Sequence, residues 1–362
     1  PLAAPGAIRL ALKWMWSPES PFYMQPRLDR GLWSWAWKFR GAATARNVRS
    51  GAPVLLALNL ASRALYEQLA REWNGAFDFT PKGIVMLCNT EQGLEHELAT
   101  AAMARGLDLP VETLDPRQLA ALEPSIELRA AGGVYFPMDA YLTPGHFMRA
   151  LLQRVRERGV ELSWGTAVTG WHASGNRINA AMTARGAVHA DEFVICGGAW
   201  SPSIAGALGL RLPMQAGKGY SLTLPHPRKQ PSHAMILSEA RVAVTPMGTS
   251  LRFGGTMEIT GNDLSINPAR VRGIVKAVPR YLPDFGADDF RDVQPWAGLR
   301  PCSPDGLPYI GRFARFANLS VATGHAMMGL SLGPITGSLI DQLVSGERPS
   351  IELAPLSPDR YA

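Results

Sequence analysis

The sequence predicts a mixed α/β fold in which a largely antiparallel, β-rich stretch is set into an alternation of helices and strands. Three observations predict it. Helical and strand periodicities alternate along the 362 residues without a fixed repeat period, which argues against a solenoid. Residues 212–258 show short apolar runs separated by Pro and Gly with no helical pattern. On either side of that stretch a short apolar strand runs into a cluster of glycines and then a helix, first at 192–201 and again at 319–337.

Composition narrows the class. The chain is 46% hydrophobic and 18% charged, as a globular protein is. Its net charge of +6 comes from Lys and Arg that are scattered rather than run together, and neither a zinc-finger spacing nor an aromatic–basic RNA signature is present, so no nucleic-acid partner is expected. Cys88, Cys196 and Cys302 stand far apart without a Cys-x-x-Cys, which indicates neither a disulfide framework nor a metal site and fits the cytoplasm. No apolar run approaches the roughly 18 to 20 residues of a membrane span, and the opening residues lack the order of a signal peptide.

Five of the ten tryptophans fall in the first fifty residues, at Trp14, Trp16, Trp33, Trp35 and Trp37, beside Lys13, Lys38, Arg40 and Arg46. Trp beside Lys and Arg marks an interfacial membrane helix, and it equally marks rings packed on the protein body. Peripheral contact with the cytoplasmic face of an inner membrane is therefore one of two open readings. In residues 52–73, Leu56, Leu60, Ala64, Leu65 and Leu69 recur at helical spacing, with Arg63, Glu67 and Arg71 for the opposite face. A strand at 83–88 and a helix at 91–105, closed by Gly106, come next. Asp115 then caps a helix with Pro116 at its first position.

A strand at 132–137 precedes a helix opened by Thr143-Pro144 and running to about 158. Short strands are expected at 161–164, 167–172, 177–183 and 192–196, the last turning through Gly197-Gly198-Ala199-Trp200 toward a helix. Within the β-rich stretch the strands are 220–224, 242–245 and 251–255, and Asn267-Pro268 precedes a helix to about 281.

The most informative segment begins at 296 with Trp-Ala-Gly-Leu-Arg-Pro-Cys-Ser-Pro-Asp-Gly-Leu-Pro-Tyr-Ile-Gly, followed by a strand at 319–323 and the small-residue run 324–337 that enters a final helix. Small residues at a strand-to-helix turn let the backbone approach a ligand closely, and the helix start aims unpaired N–H groups at it. A reduced flavin, negative near N1 and O2, suits such a turn.

These blocks, with Lys218-Gly219-Tyr220-Ser221-Leu222-Thr223, Phe253-Gly254-Gly255-Thr256-Met257-Glu258 and the closing Leu356-Ser357-Pro358-Asp359-Arg360-Tyr361, resemble the D-amino-acid oxidase superfamily of flavoproteins, and within it the bacterial D-amino-acid dehydrogenase family. The opening Ala3-Ala4-Pro5-Gly6 and Lys13-Trp14-Met15 are similar to that family too, so the likeness covers nearly the whole chain. It implies an FAD/NAD(P)-binding Rossmann-like domain and a substrate domain on a mixed, largely antiparallel sheet. The divisions expected are a Trp-rich segment at 1–50, substrate-domain parts at 51–142 and 211–295, and FAD-domain parts at 143–210 and 296–362.

One departure concerns the phosphates. The family opens with a strand and a Gly-x-Gly-x-x-Gly turn, whereas the only Gly-x-Gly here, Gly217-Lys218-Gly219, has Leu222 in place of the third glycine. By comparison with the family, roughly sixty residues ahead of Pro1 are expected to be missing from the sequence, leaving the FAD domain N-terminally incomplete.

The resemblance implies non-covalent FAD, since the cysteine that carries flavin in sarcosine oxidases falls at Gly298. It places cofactor contacts at Val168, Gly197, Gly198, Ala199, Trp200, Gly324, His325, Gly329, Leu330, Ser331 and Leu332. Arg300 is expected to bind a substrate carboxylate, with Tyr220, Met257, Tyr141 and His325 around it; the competing reading for Arg300 is a structural pair with an acid such as Asp305. The implied reaction is oxidative deamination of a D-amino acid or a cyclic imino acid such as a proline derivative, with electrons passed to a quinone or other carrier. The alternatives are a glycine or sarcosine type oxidase using oxygen, and a non-catalytic binding module that has lost FAD.

Overall fold

The computed structural model describes residues 2–6, 8 and 19–361. The expectations placed on Lys13, Trp14, Met15 and Trp16 lie outside them.

After β1 (Phe22–Met24), α1 (Arg30–Ala42) starts at Asp29, whose carboxylate accepts from the N–H groups of Gly31 and Leu32. It buries Trp35 and leaves Trp33 and Trp37 exposed, with the Arg40 guanidinium 5.6 Å from the Trp37 ring centre. The next helix, α2 (Ala45–Glu72), is the amphipathic helix expected, but it buries Gly51, Leu55, Leu58, Ser62 and Tyr66 rather than the stripe through Leu56 and Leu60. Counting aliphatic residues alone misplaced that face, because Ser62 and Tyr66 turn inward to hydrogen-bond the carbonyls of Ser331 and Leu330.

β2 (Ile84–Cys88), α3 (Glu91–Arg105), β3 (Glu112–Leu114), α4 (Pro116–Leu122), β4 (Gly132–Phe136) and α5 (Pro144–Glu157) follow. α4 carries the expected cap as a full box: Asp115 accepts from Arg117 and Gln118, and the Gln118 side chain accepts from the Asp115 N–H. Residues 161–164 form no strand, and Trp164 stands in solvent with no sheet to join. A small antiparallel sheet of β5 (Val168–Ser174), β6 (Arg177–Thr183) and β7 (Gly186–His189) comes next. β8 (Phe193–Ile195) then passes through a single 3₁₀ turn into the short α6 (Ser201–Gly206).

The remaining elements are β9 (Gln215–Pro225), β10 (Ala234–Leu237), β11 (Val242–Met247), β12 (Ser250–Ile259), α7 (Pro268–Ala277), β13 (Trp296–Cys302), β14 (Tyr309–Arg312), β15 (Leu319–Thr323) and α8 (Gly333–Val344). The large sheet runs β13-β9-β12-β11-β10-β2-β4-β3, with β1 added beside β12, and only the β1–β12 and β10–β2 pairs are parallel. It draws strands from both 84–136 and 215–302. A separate sheet, β14-β15-β8, has β15 and β8 parallel.

One face of the large sheet holds the main core: Val85, Leu87, Leu222, Val244 and Phe253 pack under α7 and the turns carrying Tyr281, Phe285 and Phe290. Side chains alternate across a strand, so the opposite face is free to build a site. Among the described residues no helix is long and apolar enough to cross a membrane.

Candidate active site

Alternation along β9 sends Lys218, Tyr220 and Leu222 to the core face and Gly217, Gly219 and Ser221 to the other. Residues paired across an antiparallel ladder share a face. Arg300 opposite Gly217, Gly298 opposite Gly219, and both Trp296 and Gly254 opposite Ser221 therefore join the glycines.

The glycines are required because larger side chains lie flat on them. A Cβ on Gly219 would collide with the Arg300 guanidinium, one on Gly298 with the Trp296 ring, and one on Gly217 with the sulfurs of Met257 and Cys302.

Arg300 donates through Nη1 to the Thr256 carbonyl at 2.8 Å. That carbonyl sits in a β-bulge between Gly255 and Glu258, where Thr256 takes a φ of +69°. Among the described residues the rest of the guanidinium has no hydrogen-bond acceptor, so it remains available to an incoming carboxylate. Asp305, the acid offered as its structural partner, is gripped instead by Arg360 through two bonds of 2.8 and 3.0 Å. Burial lowers the pKa of Arg300, the Cys302 thiol opposes that, and the like charge of Arg252 lowers it further; a guanidinium keeps its proton regardless.

β13 packs against both glycine-rich turns. In the first, Gly198 has φ +54°, and its carbonyl accepts from Thr323 Oγ1 at 3.2 Å; Ser201 Oγ donates to the same Thr323 oxygen at 3.1 Å. These bonds tie the turn of 197–200 to the end of β15. In the second, Gly324 has φ +78° and lies against the Tyr309 ring, while His325 bridges back to Cys302.

A 3₁₀ turn at Ala326–Met328 intervenes before α8, which starts at Gly333 with Leu332 as its N-cap, later than a helix running on from Gly329. Two hydroxyls from α2 orient the segment between: Tyr66 donates to the Leu330 carbonyl and Ser62 to the Ser331 carbonyl, each at 2.6 Å. With those carbonyls drawn toward α2, the N–H groups of Gly329, Leu330 and Ser331 find no acceptor among the described residues.

The other expected residues divide. Met257 lies on the face of Arg300, beside Gly217. Tyr220 does not: it is buried on the core face, its hydroxyl 2.5 Å from Glu258 Oε2 in a network with Lys218, Arg270 and Asp263. Tyr141 donates to the Ser232 carbonyl at 3.0 Å, just ahead of β10, four strand steps from β13 and thus about 19 Å across the sheet.

His325 is buried, its Nε2 lies 3.0 Å from Thr336 Oγ1 on α8, and burial lowers its pKa to about 4, so the ring is a neutral brace between turn and helix. Ala199 is buried and Trp200 exposed in the first turn, and Val168 is exposed at the start of β5. Leu332 packs its side chain into the core with Leu55, Leu58 and Ile335, its N–H donates to the Met328 carbonyl and its carbonyl accepts from the Thr336 N–H, so it anchors the turn and offers no free group to a ligand. Ser62, Tyr66, Arg252, Thr256 and Trp296 were not singled out from the sequence; the one signal for the first two was their i, i+4 spacing on a helix.

Residues 28–343 match the family model described as FAD dependent oxidoreductase (DAO). The chain belongs to this family of FAD-dependent oxidoreductases. It is 32% identical to the D-amino acid dehydrogenase of Granulibacter bethesdensis over 367 residues, covering 100% of the chain and 87% of that protein. Likeness to the D-amino acid dehydrogenase of Rhizorhabdus wittichii is also 32%, over 366 residues, with the same coverage. Among solved structures the oxidoreductase is similar to glycine oxidase from Geobacillus kaustophilus, with a TM-score of 0.78 and 26% identity over 85% of this chain and 84% of that one. L-proline dehydrogenase from P. horikoshii shares the fold at a TM-score of 0.75 and 18% identity, over 85% and 83% of the two chains.

FAD is the cofactor of this family, and the residues present fit the ring of a flavin. Three successive unbonded N–H groups at 329–331 suit its anionic edge, and at Gly198 nothing lies within 4 Å of where a Cβ would stand.

Proposed function

We propose that this oxidoreductase, holding FAD non-covalently, oxidises a small D-amino acid or a cyclic imino acid such as a proline derivative at Cα. The observation that carries the reading is the Arg300 guanidinium, laid on a glycine floor beside both flavin-suited turns with most of its N–H groups unused among the described residues.

Arg300 takes the α-carboxylate as a two-pronged pair and so fixes Cα above Gly219 and Gly298. Met257, Trp296 and Cys302 give apolar walls that keep water from the reacting carbon. The turn of 197–200 and the N–H groups of Gly329, Leu330 and Ser331 hold the flavin. Bound FAD supplies the acceptor for the hydride that leaves Cα. The amine releases its proton to solvent before the transfer, so the site needs no strong acid or base; a linear imine is then hydrolysed by water to a 2-oxo acid and ammonia.

On this reading 51–142 and 211–295, completed by β13, build the substrate domain, and 143–210 with the rest of the C-terminal part builds the cofactor domain. Relatives 32% identical over the full chain that are named D-amino acid dehydrogenase support the D-configuration, and the word dehydrogenase is in keeping with a carrier other than oxygen, for which we propose a quinone. The likeness to glycine oxidase favours a second reading, an oxidase passing electrons to oxygen.

Anaerobic bleaching of the FAD-loaded protein by a panel of D- and L-amino acids and proline derivatives tests both. D-amino acids or proline derivatives are expected to bleach it, and a soluble quinone to restore the colour. Stoichiometric hydrogen peroxide in air selects the oxidase, and a panel in which nothing bleaches the flavin removes the substrate class.

A further inference from the structure

Arg252 stands in β12 on the sheet face of Arg300, paired with Thr223 of β9 and Thr245 of β11, two residues before Gly254 of the glycine floor. Its guanidinium lies 5.7 Å from the centre of the Trp296 ring. That ring covers Gly298, whose strand partner Gly219 lies under the Arg300 guanidinium. Two cations therefore flank one aromatic plate over one floor. Among the described residues Arg252 has no hydrogen bond and no ion pair, and Arg300 has only its bond to a backbone carbonyl. Burial lowers the pKa of Arg252, as it does that of Arg300, which also feels the charge of Arg252.

We propose that Arg252 is the anchor for a second anionic group of the substrate, so that the site takes an acidic amino acid with its α-carboxylate on Arg300 and its side-chain carboxylate on Arg252 beside Trp296. The inference deepens the amino-acid reading given above and rests on it for the reaction, though not for the anchor. A neutral side chain seated there would strip water from Arg252 and return no counter-charge, which is unfavourable, whereas a carboxylate satisfies the planar donor fork and leaves its carbon chain against the Trp296 ring. Trp296 also limits the second anion to the Arg252 side, because its ring fills the space over Gly298.

The test separates anchor from reaction. Binding of glutarate and of butyrate to the FAD-loaded protein is measured by calorimetry for the wild type, Arg252→Gln, Arg252→Lys and Arg300→Gln, and flavin bleaching is followed with D-glutamate against D-glutamine. The wild type is expected to favour glutarate over butyrate, and D-glutamate over D-glutamine, by about tenfold to a hundredfold, the range of one charged hydrogen-bond pair. Arg252→Gln should erase that preference while leaving butyrate unchanged, Arg252→Lys should keep part of it, and Arg300→Gln should weaken both acids. Equal binding of the two acids by the wild type, or equal weakening of both by Arg252→Gln, overturns the anchor. A glutarate preference that Arg252→Gln abolishes, with no amino acid bleaching the flavin, upholds the anchor and overturns the reaction.

Discussion

The Tyr66 hydroxyl donates to the Leu330 carbonyl at 2.6 Å, joining residues 264 positions apart. Burial pushes the Tyr66 phenol well above its ordinary pKa, so it remains a donor throughout the working range. Together with Ser62 on Ser331, it draws two consecutive carbonyls toward α2 and leaves three N–H groups without an acceptor among the described residues. Tyr66→Phe should cost about 0.5–1.5 kcal/mol of stability, the net worth of one hydrogen bond, since the Leu330 carbonyl still accepts from the Gly333 N–H at 3.1 Å, and should weaken FAD binding. Urea unfolding and titration with FAD check the two effects; unchanged FAD affinity in Tyr66→Phe and in the double variant with Ser62→Ala would detach the turn from these hydroxyls.

Arg300→Ala removes the α-carboxylate anchor. Truncating one partner of a desolvated charge pair costs roughly 2–5 kcal/mol, so KM should rise steeply while the protein keeps its FAD. The outcome that removes Arg300 from the site is an unchanged KM.

Gly219→Ala probes the floor without touching a functional group. Its Cβ would collide with the guanidinium of Arg300, the mobile end of a side chain, so the fold can yield by displacing Arg300. A misplacement of about 1 Å at a positioning group costs on the order of a hundredfold in rate. The expected result is a loss of that order in kcat/KM with a nearly unaltered melting transition; a variant that unfolds early but turns over normally would place the glycine in packing alone.

Local chemistry explains which parts were legible in the sequence. The strand at Leu319–Thr323, the cap at Asp115, and the helices at Glu91–Arg105 and Pro144–Glu157 were readable because each is fixed by local signals, the first helix by its ends and the second by its apolar stripe as well. Residues 161–164 have strand composition but no neighbour to pair with, and a strand exists only through its partner. The buried face of α2 was misplaced because two polar residues on it are satisfied by carbonyls distant in sequence. At the site, Arg300 was visible through its motif, but Arg252 was not, since sharing a face with Arg300 depends on the register of β12, β9 and β13. Register also separates Tyr220 from Arg300: consecutive positions point to opposite faces, and the bulge at Thr256 resets β12 so that Met257 returns to the site side.

That separation yields a prediction of its own. Glu258 is buried between Lys218, Arg270 and the Tyr220 hydroxyl on the core face. Glu258→Gln removes the buried carboxylate shared by Lys218 and Arg270, and because Lys218 keeps its 2.8 Å pair with Asp263 the loss should stay below the roughly 3–5 kcal/mol of breaking an isolated buried pair. KM for the substrate should be unchanged in the fraction that remains folded. A rise in KM with normal stability would instead put Tyr220 and its network in the pocket.

His325 makes the stability of the protein depend on pH in a defined direction. Burial holds its folded pKa at about 4, below the ordinary 6.5 of the unfolded chain. Between those values the unfolded chain binds more protons, so stability rises with pH across the window. The contribution of His325 is complete above about pH 6.5 and is lost progressively as the pH falls toward 4. The gap between the two values sets a ceiling of about 3 kcal/mol. Urea unfolding near pH 7 and near pH 5 measures it, with His325→Gln as the reference that can still hydrogen-bond Thr336 but cannot take up a proton. The wild type should lose more stability than His325→Gln over that interval; parallel losses would mean that the ring is reached by water in the folded protein and does not serve as a buried brace.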